Sequence, residues 1–174
     1  MRTAIFYLTY DGQTQKIAEY IASHLENVEL FCLRDHINMS SNQLAEFDRI
    51  VIGASIRYGH FSPVLAQFIS MHSALLNQRH SAFFSVNLTA RKANRNTPTT
   101  NIYTRKLLEK IDWKPNWVEV FAGALRYPRY RWFDRLIIRF IMKMTGGETD
   151  TRQEYEYTDW TQVREFALKI GKLS

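Results

Sequence analysis

The feature that most constrains the fold is the regular alternation of short, apolar, β-rich runs with longer segments of helical periodicity. The run DRIVIGASI, which starts at Asp48, is apolar almost throughout, and this is typical of a strand buried on both faces of a sheet. Similar runs begin at Thr3, Val28, Ser81 and Trp117, and amphipathic segments separate them. The sequence therefore predicts an α/β fold, a doubly wound sheet of about five parallel strands covered by helices on both faces.

The helical segments outnumber those that such a sheet requires by one. The C-terminal segment TDWTQVREFALKIGK places Trp160, Val163 and Ile170 on one face, as expected of a helix that packs on the sheet. Another helical segment lies between this helix and the run WVEVFAGAL, which we interpret as the last strand of the sheet. Residues from about 126 to 157 are therefore predicted to be an insertion, within a single domain that spans residues 1–174.

The length and composition favour a folded protein in a reducing compartment. The chain has 174 residues, of which 45% are hydrophobic and 23% are charged, and this is ordinary for one globular domain. Cys32 is the single cysteine, which excludes an internal disulfide and a cysteine metal cluster. The N-terminal apolar run is too short for a signal peptide, and no stretch offers the roughly 18 apolar residues of a membrane span. The net charge of +6 indicates an anionic partner, such as nucleic acid, a membrane surface or an acidic small molecule.

The loop after the first strand is the first candidate ligand site. In a doubly wound sheet, ligands bind at the carboxyl ends of the strands. Here residues Thr9 to Thr14, with the sequence TYDGQT, lead directly from a strand into a helix. The backbone amides of such a loop, together with the helix N-terminus, can hold a phosphate group. The alternative is an ordinary strand-to-helix turn that Asp11 or Thr14 caps.

Several segments together resemble one enzyme family. The loop TYDGQT is similar to the FMN-phosphate loop of flavodoxins, whose usual pattern is Ser/Thr-x-Thr-Gly-x-Thr. The segments GASIRYGHFSPVL, FFSVNLTARK, AGALRYPRYRW and GGETDT extend the resemblance over residues 3–171. In combination they resemble the flavodoxin-like, quinone-dependent protoporphyrinogen IX dehydrogenases of bacteria. The resemblance implies the flavodoxin fold and an enzyme that passes electrons from a porphyrinogen through FMN to a membrane quinone.

The resemblance also implies three FMN-binding segments. Tyr58 is the expected stacking ring over one face of the flavin. Leu88 stands in the loop where flavodoxins usually place a second aromatic residue, so a less shielded second face is expected. Asp11 replaces the usual hydroxyl residue, and its carboxylate is expected to turn toward loop amides rather than the phosphate. The expected cofactor-binding residues are Thr9, Tyr10, Asp11, Gly12, Gln13, Thr14, Ser55, Ile56, Arg57, Tyr58, Gly59, His60, Ser85, Val86, Asn87, Leu88 and Thr89.

Two arginines are candidates for binding the substrate. A porphyrinogen carries two propionates, and Arg57 and Arg91 lie on loops expected at the ligand end of the sheet. The alternative is a solvated basic surface. His60 is a weak candidate for proton removal, and the alternative is a residue that only forms hydrogen bonds in its loop. No other catalytic residue is predicted, because a flavin carries out the redox chemistry. No metal site is predicted either, because the other histidines show no metal-ligand spacing.

The insertion is expected to contain a basic amphipathic helix within the segment YPRYRWFDRLIIRFIMKMTGGETD. Cations at every fourth position form one stripe, and large apolar residues fill the opposite half of the circumference, while Ile138 and Met142 lie on the basic side. A run of about 15 residues is too short to cross a bilayer but suits a helix that lies in the interface. The alternative is that the apolar face packs on the domain. The residues expected to face a membrane or a quinone are Arg131, Trp132, Arg135, Leu136, Arg139, Phe140 and Lys143.

The predicted function is the FMN-dependent oxidation of protoporphyrinogen IX in heme biosynthesis, with a membrane quinone as the acceptor. The resemblance implies a cytoplasmic protein, peripheral on the inner face of the cell membrane, with an anionic membrane surface as a partner. The alternative is a flavodoxin that serves only as an electron carrier, although such carriers are typically acidic. A nucleic-acid binder is disfavoured, since such a protein has no evident use for the phosphate loop.

Overall fold

A parallel sheet of five strands lies at the centre of the computed structural model, which describes residues 1–173. The strands of the described residues, including three short ones outside this parallel order, are β1 (Thr3–Leu8), β2 (Val28–Cys32), β3 (Arg49–Arg57), β4 (His60–Phe61), β5 (His80–Asn87), β6 (Trp117–Ala122), β7 (Ala124–Arg126) and β8 (Glu154–Glu156). Across the sheet the order is β2, β1, β3, β5 and β6, and all four neighbouring pairs are parallel. The predicted doubly wound α/β fold is confirmed, because this order is that of the flavodoxin-like topology.

Helices cover both faces of the sheet. They are α1 (Gln13–Ala22), α2 (Ser41–Leu44), α3 (Pro63–Gln78), α4 (Ile102–Lys110), α5 (Trp132–Thr145) and α6 (Trp160–Gly171). On one face, side chains of α3 such as Phe68 pack against Ile50 and Ile52 of β3. On the other face, α1 and α6 pack against Val51 of the same strand. Because successive side chains of β3 serve opposite cores, this strand needs an uninterrupted apolar sequence.

The insertion is a small unit with its own sheet and its own core. The prediction of a single strand over WVEVFAGAL is wrong, because Gly123 interrupts it and separates β6 from β7. Strand β7 leaves the main sheet and pairs antiparallel with β8. The insertion therefore runs from Ala124 to Glu156, and it starts about two residues earlier than predicted. Between these strands lies α5, whose buried residues join those of β7 and the following turn in one cluster: Leu125, Tyr127, Tyr130, Ile138 and Met142.

Candidate active site

A cavity of about 410 Å³ lies at the carboxyl ends of β1, β3, β5 and β6. Most of the residues expected to bind the cofactor line it, and those that do not are Gly12, His60 and Ser85. Ser85 is buried and shares a hydrogen bond of 2.7 Å with Thr104, while His60 is exposed on β4. The weak catalytic candidate His60 therefore lies outside the cavity wall. The three predicted segments nevertheless converge on one space.

The start of α1 contributes an uncapped helix N-terminus and one unpaired hydroxyl to this cavity, among the described residues. Gly12 precedes α1 with φ of 89°, a left-handed conformation that favours glycine, and no side chain caps the helix. Its amide donates to Thr9 Oγ1 at 2.9 Å. Thr14 lines the cavity, and its buried Oγ1 has no partner among the described residues. An uncapped helix N-terminus beside an unpaired hydroxyl is suited to an anionic group, because the amides and the helix dipole both favour negative charge.

Gln13 lines the cavity, and its side chain also forms hydrogen bonds that were not predicted. Its side chain donates to Thr158 Oγ1 at 2.9 Å and accepts a hydrogen bond of 2.6 Å from Arg126 of β7. Close by, Lys16 of α1 forms an ion pair of 2.7 Å with Glu156 of β8. The loop and the first turns of α1 are therefore fastened to both strands of the insertion. No local sequence pattern indicates these contacts, because the partners are more than a hundred residues apart.

Tyr58 occupies a strained position at the second loop. It has φ of 50° and is followed by Gly59 at 81°, so two successive residues are left-handed. The Tyr58 hydroxyl donates a hydrogen bond to the carboxylate of Asp134, in the first turn of α5. Burial, followed by this hydrogen bond, raises the pKa of Tyr58 to about 12. The expected stacking ring is thus held at the cavity by the inserted helix.

Arg57 lies among aromatic rings at the cavity. Its guanidinium lies 5.3 Å from the ring centroid of Tyr10, 5.8 Å from that of Tyr58 and 5.5 Å from that of Tyr130. It also forms a long ion pair of 3.4 Å with Asp11. Asp11 therefore turns toward Arg57, whereas the sequence analysis expected it to turn toward loop amides. Burial raises the pKa of the Asp11 carboxyl, and the charge of Arg57 opposes this rise.

The third loop connects the cavity to the other end of α5. Asn87 Oδ1 accepts bonds from the Ala90 amide and from Asn101, while its buried Nδ2 has no partner among the described residues. Arg91 donates to Leu88 O at 2.9 Å and to both the carbonyl and the hydroxyl oxygen of Thr145, at 3.2 and 3.0 Å. Arg91 therefore fixes the last turn of α5 against the loop. This bonding is structural and uses donors that the sequence analysis assigned to a substrate carboxylate.

The cavity includes residues that the sequence analysis missed. Tyr103, in the first turn of α4, lines the cavity, and its ring lies beside Gly59. Tyr103 could have been predicted as a lining residue, because it lies at the start of the helix that follows β5, at the ligand end of the sheet. The other missed lining residues are Gly123, Ala124, Tyr130, Ile138, Ile141, Met142 and Thr145. The last four show that α5 itself forms part of the cavity wall.

The apolar face of α5 was expected either to pack on the domain or to face a membrane, and it is exposed in the structure. Ile138 and Met142, on the basic side, are buried in the insertion core. The large apolar residues on the opposite side are 42–74% exposed: Trp132, Phe133, Leu136, Ile137, Phe140, Ile141 and Met144. The alternative in which the apolar face packs on the domain is therefore wrong for this structure.

Arg135 does not belong to the outward surface. Its Nε donates to the carbonyl oxygen of Tyr127 at 3.1 Å, and its second terminal nitrogen donates to that of Tyr130 at 3.4 Å. Arg135 therefore anchors α5 to the preceding turn, whereas Arg131, Arg139 and Lys143 are exposed. The four-residue spacing had placed all of these cations in one stripe. Spacing alone cannot show that one of them meets backbone carbonyls.

Over residues 1–173, no helix combines the length and the apolar character needed to cross a bilayer. In the same range, no three His, Cys, Asp or Glu side chains are grouped so as to hold a metal ion.

The comparisons with known proteins agree with this geometry. A family described as a flavodoxin domain matches residues 4–152. The protoporphyrinogen IX dehydrogenase [quinone] of Escherichia coli K12 is 52% identical over 177 residues, covering all of this chain and 97% of that protein. The protein of the same name from Leishmania major is 51% identical, over 97% of this chain and 74% of its own length. This chain belongs to the flavodoxin-like family of quinone-dependent protoporphyrinogen IX dehydrogenases.

Solved structures support the fold of this family member. Oxidised flavodoxin 1 from Bacillus cereus superimposes with a TM-score of 0.56 at 14% identity, covering 100% of this chain and 99% of the flavodoxin. Flavodoxin 2 of the same organism gives 0.55 at 17% identity, covering 99% of each chain. At such low identity the likeness extends to the fold alone.

Proposed function

We propose that this protein oxidises protoporphyrinogen IX to protoporphyrin IX with bound FMN, in heme biosynthesis, and passes the electrons to a membrane quinone. The observation that carries the proposal is the 52% identity to the E. coli enzyme along the whole chain, including the insertion. The cavity supports it, because the loops that hold a cofactor in a flavodoxin fold are here joined by a wall from α5.

The residues of the cavity fit FMN. The uncapped N-terminus of α1 and the unpaired Thr14 hydroxyl suit its phosphate, and the unpaired Asn87 amide suits a polar edge of its ring system. Tyr58 and Tyr103 offer aromatic surface at the same cavity. Bound FMN would supply the redox chemistry, because a flavin can accept electrons from an organic substrate and pass them on to a quinone. The protein contributes binding, orientation and the exclusion of water.

Arg57 is the residue that we propose for binding a substrate propionate. Its side chain lines the cavity, and its ion pair with Asp11 is long enough for a second carboxylate to compete for the guanidinium. Arg91 is a weaker candidate, because three of its hydrogen bonds fix Leu88 and Thr145. Its replacement should therefore disturb the loop and α5 rather than remove one substrate contact.

The direct test combines cofactor identification with a porphyrin assay. FMN extracted from the purified protein should be identified by chromatography, and the fluorescence of protoporphyrin should appear when protoporphyrinogen and a soluble quinone are both present. Arg57→Ala should raise the KM for porphyrinogen roughly tenfold or more, since a charge-assisted hydrogen bond contributes about 1.5–3 kcal/mol. Arg57→Lys, which keeps the charge, is the matched control and should lose less. Flavin other than FMN, or no porphyrin with any acceptor, would contradict the proposal.

The second candidate is an electron carrier without its own porphyrinogen substrate. The flavodoxin fold favours it, but the net charge of +6 and the exposed apolar face of α5 do not. The same assay separates the two functions, because a carrier would reduce a protein partner and form no porphyrin.

We also propose that α5 docks the protein on an anionic membrane, where a lipid-soluble quinone is found. The exposed apolar residues cover the side of α5 that points away from the core, and so large an exposed patch is typical of an interaction surface. At about 100° per residue, Lys143 falls between Trp132 and Leu136, and Arg139 lies at the margin of this face. Cations beside a wide apolar face suit an interfacial helix, which keeps its charged groups at the head groups.

Vesicle binding tests this docking. Replacing both Arg139 and Lys143 with Gln should weaken co-sedimentation with anionic vesicles roughly 30-fold, because each cation near an anionic leaflet contributes about 1 kcal/mol. The remaining binding should depend less on salt. Lys106→Gln with Lys110→Gln, on the exposed side of α4, makes the same change in net charge and should have a much smaller effect. Equal losses for both pairs would indicate general attraction to the surface rather than docking by α5.

A further inference from the structure

One line of residues along α5 runs between its exposed apolar face and its buried face. Asp134, Ile138, Ile141 and Thr145 are spaced by four, three and four residues, so they lie along one line of the helix, about 16 Å long. Ile138, Ile141 and Thr145 line the flavin cavity. The two ends of this line are polar and its middle is aliphatic.

Each polar end is hydrogen-bonded to a different loop of the cavity. Asp134 accepts a hydrogen bond from the hydroxyl of Tyr58, which lies in the loop after β3. Thr145 accepts two hydrogen bonds from Arg91, beyond the loop after β5. The two loops that flank the cavity are therefore fixed to opposite ends of α5. Between these two contacts, the residues of α5 that line the cavity are Ile138, Ile141 and Met142, and all three are apolar.

Ile141 belongs to two surfaces at once. It lines the cavity, and it is also 42% exposed on the apolar face of α5. Ile138 and Met142, its cavity-lining neighbours, are buried. The apolar outer surface and the cavity therefore meet at Ile141, and no charged side chain of α5 lies between them on this line of the helix. A polar substrate gains nothing from such a path, whereas an apolar ring would cross it without meeting a charge.

We infer that the quinone acceptor enters the cavity past Ile141, between the Tyr58–Asp134 and Arg91–Thr145 contacts, directly from the membrane that α5 faces. This inference rests on the proposed function and adds an entrance for one of its two substrates. The acceptor takes up two electrons and two protons, which originate from the porphyrinogen, and leaves by the same path as the quinol. Porphyrinogen, with its carboxylates, binds on the side of Arg57.

A matched pair of substitutions tests the entrance. Ile141→Trp fills the junction between the two surfaces, whereas Ile137→Trp makes the same change one turn earlier, on a residue that is 46% exposed and does not line the cavity. Binding of a benzoquinone with a short alkyl tail to the oxidised protein, without any reductant, is measured by titration calorimetry. The dissociation constant should rise at least tenfold for Ile141→Trp and less than twofold for Ile137→Trp. Vesicle binding should be similar for both.

A second experiment avoids any effect on folding. In a Cys32→Ser background, Ile141→Cys and Ile137→Cys are each labelled with a bulky maleimide after the protein has folded and bound its cofactor. The label at position 141 should raise the KM for a tailed quinone at least tenfold and raise the KM for porphyrinogen by a much smaller factor, and the label at position 137 should change neither. Equal effects at both positions, or none at position 141, would overturn the inference. If the unlabelled parent forms no porphyrin with any acceptor, the proposed function fails instead.

Discussion

Replacing Leu136 and Phe140 with serine should weaken vesicle binding while leaving the fold and the cavity in place. These residues are 56% and 64% exposed, and neither lines the cavity or belongs to the insertion core. Their exposed side chains are therefore available to a membrane and are not needed by the protein itself. The double variant removes apolar surface without changing the charge of α5.

The size of the effect follows from the exposed fractions. Complete burial of a Leu or Phe side chain contributes about 1.5–3 kcal/mol, and roughly 60% of each side chain is available here. The two substitutions together should then remove about 2–4 kcal/mol of membrane affinity. This corresponds to a loss of roughly 30- to 900-fold in the partition coefficient, if both side chains enter the apolar part of the interface.

The assay is co-sedimentation with anionic vesicles at a fixed salt concentration, with flavin absorbance as a check on the cofactor. Leu168→Ser is the control, because Leu168 is 47% exposed on α6 and is not part of the insertion. The double variant should keep its flavin and its activity with a water-soluble quinone but lose activity with a lipid-soluble one. If the double variant binds vesicles like the parent, or if the control loses as much, the docking surface is not the apolar face of α5.

Three further predictions concern single side chains. Arg135→Ala should destabilise the insertion by about 1–3 kcal/mol, because two backbone carbonyls lose a charged hydrogen-bond donor. Urea denaturation measures this change, and an unchanged midpoint would contradict the anchoring role of Arg135. Asp134→Ala should lower the pKa of Tyr58 from about 12 while leaving it above 10, since burial remains; tyrosinate absorbance in a pH titration measures it. Because Tyr58 in the unfolded chain ionises near pH 10, its contribution to stability is complete below that pH and is lost as the pH rises toward 12. Gly53→Ala should destabilise the sheet by about 1–3 kcal/mol, because an added Cβ would overlap the ring of Phe84, and a stability equal to that of the parent would show that the ring can move.

The sequence predicted the fold because each element of the main sheet has a strong local pattern. The apolar run of β3 and the amphipathic pattern of α6 specify a doubly covered parallel sheet without reference to distant residues. Parallel strands then place their carboxyl ends, and hence the three ligand loops, at one edge. The convergence of these loops on one cavity could be expected for that reason. The contact of Gln13 with Arg126 could not, because no local pattern records it.

The orientation of α5 was decided by the tertiary structure. The sequence by itself determined that α5 would be a helix with an apolar face and a basic side, since these follow from about 100° of rotation per residue. It did not determine which side meets the protein. That choice depends on the turn after β7, whose carbonyl groups bind Arg135, and on the small core that accepts Ile138 and Met142. Periodicity fixes how residues are arranged around a helix, whereas only the packing partner fixes which of those residues turn inward.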